Sequence, residues 1–164
     1  MIDTSRFVTG PHLSPIIKQI TIAAPVEAVF AAWTHGQSFA RAYDPENELI
    51  RADIELRIGG PYEWLWDGET GSNDCHVLSF IPGRMVSFSW NAPPGQAESR
   101  EMRTWVVVEC EPAPPRATRV TLTHLGFGHK RHWVETRDYF QSAWDVVLER
   151  FRQNLERDAG SAQV

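Results

Sequence analysis

Residues 53–66 read DIELRIGGPYEWLW, and this stretch contains the pattern that decides the fold. In its first half, apolar side chains alternate with charged ones, which is typical of a half-buried antiparallel strand. The apolar members of that half are Ile54, Leu56 and Ile58. Gly59–Pro61 predicts a turn, and aromatic side chains then occupy every second position: Tyr62, Trp64 and Trp66. The stretch therefore predicts two strands, each with one apolar face.

The two-residue period continues towards the C-terminus as far as Leu125. Turn-forming residues divide this region into further predicted strands, which span residues 75–81, 85–90, 102–110 and 118–125. Between the second and third of these, residues 91–100 predict a long polar loop.

Helical spacing appears on both sides of the predicted strands. On the N-terminal side, a strand over residues 16–22 precedes apolar residues at i, i+3, i+4 and i+7, which predict a helix that begins near Pro25 and contains Trp33. Residues 37–42 predict a second short helix. After Lys130, apolar positions step by three or four and predict one helix of about two dozen residues, roughly 35 Å long. Such a helix is long enough to cross a whole sheet.

The predicted element order is strand, helix, short helix, six strands and long helix, which indicates an α+β fold. An antiparallel sheet with one apolar face and a long amphipathic helix bury those faces together when the sheet curls around the helix. This arrangement tends to enclose space between them. Residues 1–15 are predicted to form an N-terminal arm, residues 16–157 one domain and residues 158–164 a flexible tail.

The composition limits the classes of partner and compartment. Sixteen Lys and Arg against twenty-one Asp and Glu give a net charge of -5, so the broad positive field of nucleic-acid binders is absent. We therefore expect neither a nucleic acid nor a membrane as partner. The first fifteen residues have no apolar run and predict no secretory signal. Cys75 and Cys110 are isolated, which predicts reduced thiols in a cytoplasmic protein.

Several strings, in this order along the chain, resemble a known superfamily. They are residues 20–33 (ITIAAPVEAVFAAW), residues 53–66, residues 82–90 (PGRMVSFSW), residues 117–127 (ATRVTLTHLGF) and the C-terminal helix that contains Trp144. Over residues 16–157 the chain resembles the START-like, helix-grip superfamily (SRPBCC), and most of all the proteins related to the activator of the heat-shock-protein-90 ATPase. The resemblance implies a curved sheet around a C-terminal helix. Members use the enclosed cavity for lipid binding, polyketide cyclisation or hydroxylase subunits, or regulate chaperones.

The aromatic residues are the main candidates for a ligand site, since the chain contains seven Trp among its eighteen aromatic residues. Strand parity and helical spacing place several of them on faces that meet under the C-terminal helix. These are Trp33, Trp64, Trp66, Phe88, Trp90, Phe140 and Trp144. Such side chains either fill a core or line a pocket for an organic ligand. The family resemblance favours the pocket.

Two polar residues fall on these apolar faces. His124 shares a strand face with Val120 and Leu122, and Arg137 lies within the apolar stripe of the long helix. A polar group in an apolar cavity fixes the orientation of a ligand, so both are candidate anchors. For both residues we favour a structural alternative: a hydrogen bond from His124 to the backbone, and an Arg137 side chain that reaches solvent at the sheet edge.

Motifs for metal binding, cofactors and covalent catalysis are absent from the sequence. His129, His132 and Glu135 lie near one another, but the chain has no His-Glu-x-x-His or paired-Cys spacing. No serine lies in a Gly-x-Ser-x-Gly elbow. We therefore expect no metal and no cofactor. Acid–base chemistry in the cavity stays open, with four candidate groups: Asp53, Glu63, His76 and His124.

The sequence predicts a protein that binds a hydrophobic or aromatic small molecule, with no obligatory catalysis. The alternatives are a chaperone-associated regulator that acts through its surface and an enzyme of the polyketide-cyclase type, and a homodimer is a further expected assembly. A binder requires an apolar pocket with one or two polar anchors. A regulator requires an exposed patch outside the pocket, and an enzyme requires a titratable cluster inside it.

Overall fold

The structure, a computed structural model, describes residues 2–162. In chain order its main elements are β1 (Ile16–Ile22), α1 (Val26–Thr34), α2 (Gly36–Tyr43), β2 (Arg51–Ile54), β3 (Tyr62–Leu65), β4 (Val77–Ile81), β5 (Met85–Trp90), α3 (Ala97–Arg100), β6 (Thr104–Ala113), β7 (Ala117–Leu125) and α4 (Arg131–Ala162). A single 3-10 turn at Thr4–Arg6 precedes them.

Five strands form the main sheet, which is antiparallel throughout and has the order β1-β7-β6-β5-β4. Strands β2 and β3 pair separately as a two-stranded sheet. One bridge between Pro61 and His76 connects this small sheet to the segment before β4. The sequence predicts one continuous sheet, so the division into two sheets is a correction.

The division follows from the way the chain turns after β2. The predicted strand over residues 53–58 ends at Ile54, because the Arg57 amide donates to the Glu55 carbonyl (2.8 Å) and the Gly60 amide donates to the Arg57 carbonyl (2.9 Å). These local bonds place Ile58 in a turn, and only after it do Gly59 and Gly60 exchange backbone hydrogen bonds with Val77 of β4 (2.8 Å each). Ile58 is therefore 60% exposed, and its predicted place on the buried face is wrong.

The helices differ from prediction in two places. Helix α4 contains 32 residues, which corresponds to about 48 Å, and it extends into the predicted tail as far as Ala162. Within the predicted loop 91–100, the chain forms the short helix α3. Ser99 of α3 is buried, and its hydroxyl oxygen lies 2.8 Å from Nδ1 of His132. The Thr136 hydroxyl donates to the same Ser99 oxygen (2.6 Å). These contacts hold α3 against α4.

The core lies between the inner face of the main sheet and α4. Strands β6 and β7 alternate buried and more exposed residues as predicted. Helix α4 buries the predicted stripe: Trp133, Phe140, Trp144, Val147, Leu148, Phe151 and Leu155. A mixed α+β chain with an antiparallel sheet, early short helices and a long C-terminal helix confirms the predicted helix-grip fold.

The N-terminal arm packs on the outer face of the sheet. Trp105 of β6 points away from the core, and its ring lies 6.0 Å from the ring of Phe7 and 6.2 Å from that of His12. Backbone bridges join Phe7 to Arg103 and His12 to Gly128. The arm therefore covers an aromatic side chain that would otherwise be exposed.

A buried hydrogen-bond chain connects the sheet to α4 through His124. The Trp144 indole N–H donates to Nδ1 of His124 (3.0 Å), and Nε2 of His124 lies 2.7 Å from the Thr104 hydroxyl. Because an indole nitrogen only donates, Nδ1 accepts and the proton of the neutral ring belongs on Nε2. The Thr104 hydroxyl in turn donates to the Trp90 carbonyl (3.3 Å). The chain fixes the ring of Trp144 against the sheet.

Burial lowers the pKa of His124 from its ordinary value of 6.5 to about 3. A protonated ring would also set an Nδ1–H donor against the indole N–H of Trp144. Below the ordinary pKa the unfolded chain binds a proton that the folded chain does not, so the free energy of unfolding falls as the pH is lowered. This loss continues down to the folded pKa and is at most about 1.4 kcal/mol per pH unit.

We predict that His124→Gln reduces the acid sensitivity of folding. The amide of Gln supplies both a donor and an acceptor but does not titrate. Urea unfolding between about pH 6.5 and 4.5 should therefore show a shallower loss of stability, by up to about 1.4 kcal/mol per pH unit relative to the unmodified protein. His129→Gln, at an exposed position, is the matched control. Equal slopes for the His124 variant and the unmodified protein would contradict the assignment.

Candidate functional site

Aromatic side chains fill the centre of the space between the sheet and α4. Trp64 lies in the middle of this aromatic cluster, with its ring stacked on Phe39 of α2 at 4.3 Å between centroids. The rings of Trp90 and Trp144 lie 5.0 Å and 6.0 Å from that of Trp64, and the ring of Trp33 lies 5.8 Å from it. These side chains are at most 5% exposed. The protein's own side chains therefore occupy most of the space in which the sequence predicts a cavity.

Two buried indole N–H groups in this cluster, those of Trp33 and Trp64, have no hydrogen-bond partner among residues 2–162. An unpaired buried donor typically costs about 1–3 kcal/mol. The Tyr62 hydroxyl, by contrast, donates to the Trp33 carbonyl (2.6 Å). The Tyr62 ring stacks on that of Phe88, with 3.8 Å between centroids. The centre is thus held by ring packing, with few polar contacts.

A cleft of about 160 Å³ remains beside the cluster. Its apolar wall consists of Trp64, Trp66, Trp90, Phe140, Trp144 and Val147. The β3–β4 loop, the chain after β5, the end of α3 and the middle of α4 complete the lining. Tyr139 lines it and is 45% exposed, which marks the side that opens to solvent. We call this space the aromatic cleft.

Larger surface grooves have a different lining. The groove between Ala23 and Pro115 has a volume of about 400 Å³, but small, proline and arginine residues line it and no aromatic side chain does. Ligand sites are predominantly apolar and aromatic with a few placed polar groups. The aromatic cleft is therefore the better candidate site.

Arg100, the last residue of α3, supplies the charge of the cleft. Its guanidinium donates to the carbonyls of Ala92 (2.6 Å) and Gly71 (2.8 Å), and all three residues line the cleft. A Cβ on Gly71 would lie 1.8 Å from the Trp64 carbonyl oxygen, so only glycine allows the β3–β4 loop to approach β3 this closely. Arg100 thereby joins two walls of the cleft.

Two buried polar side chains also line the cleft. Ser72 is 5% exposed, and its hydroxyl oxygen accepts from the Trp64 amide (2.8 Å), which leaves the hydroxyl hydrogen free to donate. Asn91 is also buried, but its amide nitrogen donates to the Asn73 side chain (2.7 Å) and its oxygen accepts from the Cys75 thiol (3.6 Å). Since an amide nitrogen carries two hydrogens, Asn91 keeps one that it can donate to a ligand, as Ser72 does.

The predicted site residues fall into three groups. Five line the aromatic cleft: Trp64, Trp66, Trp90, Phe140 and Trp144. Three are buried in the core but do not line the cleft: Trp33, Phe88 and His124. Arg137 lies elsewhere, because its guanidinium donates to the carbonyls of Ser14 and Pro15. The N-terminal arm therefore binds the guanidinium N–H groups of Arg137 that were predicted to anchor a ligand.

The sequence did not point to Arg100 or Ser72. Both lie in segments without hydrophobic periodicity, and their place at the cleft depends on contacts with distant parts of the chain. The chain contains sixteen Lys and Arg, and no local signal separates Arg100 from the rest.

Among the described residues, Arg100 and Tyr139 are the titratable groups that line the cleft. Asp53 is exposed and pairs with Glu63 in the β2–β3 register, while burial, with a contribution from Asp53, raises the pKa of Glu63. Within residues 2–162, no three His, Cys, Asp or Glu side chains come together as a metal site. In the same part of the chain, no helix has the length and apolar character needed to cross a bilayer.

Comparison with solved structures finds the same fold in several proteins. The protein MLL2253 of Mesorhizobium loti is 20% identical with a TM-score of 0.69, and the match covers 88% of this chain and 98% of that one. The Aha1 dimer of Colwellia psychrerythraea is 20% identical with a TM-score of 0.64, over 88% and 97% of the two chains. CalU16 of Micromonospora echinospora is 20% identical with a TM-score of 0.55, over 90% and 84%. Identities at this level show a shared fold.

Comparison with curated protein sequences finds no match. Among protein families, the activator of Hsp90 ATPase homolog 1-like proteins match residues 23–156. This range begins just after β1 and ends within α4, so it contains α1 to α3, β2 to β7, most of α4 and the aromatic cleft. The chain therefore belongs to the activator of Hsp90 ATPase homolog 1-like protein family.

Proposed function

We propose that the protein binds a small apolar molecule in the aromatic cleft. The observation that carries this proposal is a cleft of about 160 Å³ lined by four tryptophans, with one charged residue at its wall. Aromatic walls bury the apolar body of a ligand, and a few polar groups fix its orientation. The cleft has both features.

The volume limits the size of the ligand. An engineered cavity of about 150 Å³ in another protein holds one benzene molecule, whereas drug-sized ligands occupy about 300–1,000 Å³. A cleft of about 160 Å³ therefore suits a single ring. A ligand with several fused rings would extend into solvent or require the aromatic cluster to rearrange.

The lining also favours binding over catalysis. General acid–base catalysis requires a group whose pKa suits proton transfer within reach of the substrate. No carboxyl or imidazole group lines the cleft, and His124 is held neutral in the core by burial, which lowers its pKa to about 3. An enzyme of the polyketide-cyclase type therefore has less support than a binding protein.

We predict that toluene binds in the cleft and that Ala143→Leu blocks it. A phenyl ring buries roughly 150–250 Å², which at about 25 cal/mol per Å² gives about 4–6 kcal/mol before the cost of association. This burial alone corresponds to a dissociation constant of about 40 μM to 1 mM, and the cost of association raises it into the millimolar range. Ala143 lines the cleft and is half-buried, so a larger side chain there should weaken binding at least about tenfold. Titration of toluene, followed by the indole N–H signals in NMR, measures both.

Ser142→Leu is the matched control, because Ser142 is the exposed neighbour of Ala143 on α4. This variant should bind toluene as the unmodified protein does. Binding that is absent in the unmodified protein, or that survives Ala143→Leu unchanged, would contradict the proposal.

A chaperone-associated role is the second candidate function, and the description of the family favours it. Such a role would act through the surface, where α4 exposes Val134 (43%) and Val146 (52%). The test is the ATPase rate of a purified Hsp90-class chaperone with and without this protein. Stimulation that survives Ala143→Leu would assign a surface role, and an unchanged rate would remove this candidate.

The assembly and location we propose are a homodimer in the cytoplasm. The dimeric Colwellia psychrerythraea neighbour supports the first, and analytical ultracentrifugation measures it. The free, buried state of Cys75 and Cys110 supports the second, since a reducing compartment keeps thiols unpaired.

A further inference from the structure

We infer that the ligand of the aromatic cleft is a single-ring aromatic or similarly compact carboxylic acid, bound as its anion by Arg100. This inference rests on the proposed function and adds the chemical class of the ligand. Three observations carry it: the free donors of Arg100, the absence of a carboxylate partner, and the volume of the cleft.

The guanidinium of Arg100 has donors to spare. A guanidinium carries five N–H groups, and Arg100 uses two of them on the carbonyls of Ala92 and Gly71. Three of the five therefore have no partner among the described residues. Since both carbonyls belong to cleft-lining residues, the guanidinium is fixed at the wall rather than mobile in solvent. A fixed guanidinium matches the two oxygens of a carboxylate.

The charge of Arg100 is not neutralised by the protein. Within residues 2–162, no Asp or Glu side chain lies within salt-bridge distance of this guanidinium. A second cation lies close by, because Arg103 is 3% exposed and donates to the Arg100 carbonyl (3.0 Å). Every hydrogen bond of Arg103 is to a backbone carbonyl. Asp74 and Glu63 lie within electrostatic range of Arg103, whereas the Arg100 guanidinium has no carboxylate in contact within residues 2–162.

The lining distinguishes a carboxylate from a more highly charged anion. Arg100 is the one cationic side chain in the described lining, and the buried side chains beside it offer neutral donors only: the Ser72 hydroxyl, the second amide hydrogen of Asn91 and the unpaired indole N–H of Trp64. One positive charge with neutral donors beside it balances a single negative charge. A phosphate carries nearly two charges and more acceptor oxygens, and the remaining lining is too apolar to solvate them.

The alternative role for Arg100 is a brace that joins the loops at Gly71 and Ala92. A brace affects stability and the affinity for every ligand equally. An anion anchor affects the affinity for an acid but leaves that for a neutral ring of the same size unchanged. The preference for benzoate over benzamide therefore separates the two roles, since these compounds share shape and differ in charge.

The experiment titrates benzoate, benzamide and toluene into the full chain at neutral pH, with NMR and calorimetry as readouts. The unmodified protein should bind benzoate at least about tenfold more tightly than benzamide. Arg100→Gln should remove this preference, and Arg100→Lys should retain part of it because the charge remains without the two-pronged geometry. Arg84→Gln, at an exposed turn between β4 and β5, is the charge-matched control and should change nothing.

The outcomes separate the inference about Arg100 from the proposed function of the cleft. If toluene binds but the unmodified protein does not prefer benzoate to benzamide, the inference is overturned and the proposed function stands. If none of the three compounds binds to the folded protein, both fail. If benzoate is preferred and Arg100→Lys or a folded Arg100→Gln keeps the full preference, a group other than Arg100 holds the acid and the inference is again overturned.

Discussion

The packing of the Trp64 indole is the contact on which the rest of the structure depends. Its ring meets α2 through Phe39, the main sheet through Trp90 and α4 through Trp144. Each such pair contributes about 0.5–1.5 kcal/mol beyond the burial of area. The indole N–H has no hydrogen-bond partner among residues 2–162, so ring packing outweighs the cost of an unpaired donor. Through this one side chain, four parts of the chain take fixed positions.

The same packing limits the space for the ligand that we propose. Because the aromatic cluster fills the centre, ligand space is confined to its edge, where Trp66 and Trp90 face the middle of α4 across about 160 Å³. The hydrogen bond from Trp144 to His124 keeps one wall of that space in place. Arg100 adds a positive charge to a wall that is otherwise apolar. Shape and charge together favour a compact acid over a large neutral ligand.

Local sequence patterns predicted the fold well and the site only in part. The alternation that buries Trp64, Phe88 and Trp90 is a property of neighbouring residues, so strand parity shows it directly. The volume of a cavity cannot be predicted in this way. Whether aromatic side chains on the buried faces fill the space or line a cavity depends on how side chains from different strands and helices pack together. The roles of Arg137 and Arg100 also depend on distant parts of the chain. The N-terminal arm accepts the hydrogen bonds of Arg137, and the loops that contain Gly71 and Ala92 hold Arg100 at the cleft. The sequence around each arginine does not predict these contacts.

The central claim is that the rings of the aromatic cluster pack without space for a ligand between them and that the small apolar cleft lies beside them. Crystals pressurised with xenon test this claim most directly, because xenon enters apolar space that accommodates it and gives strong electron density. The account predicts xenon in the aromatic cleft, next to Trp66 and Trp90. Xenon bound among Trp33, Trp64 and Trp144 at the centre, with none in the cleft, would contradict it.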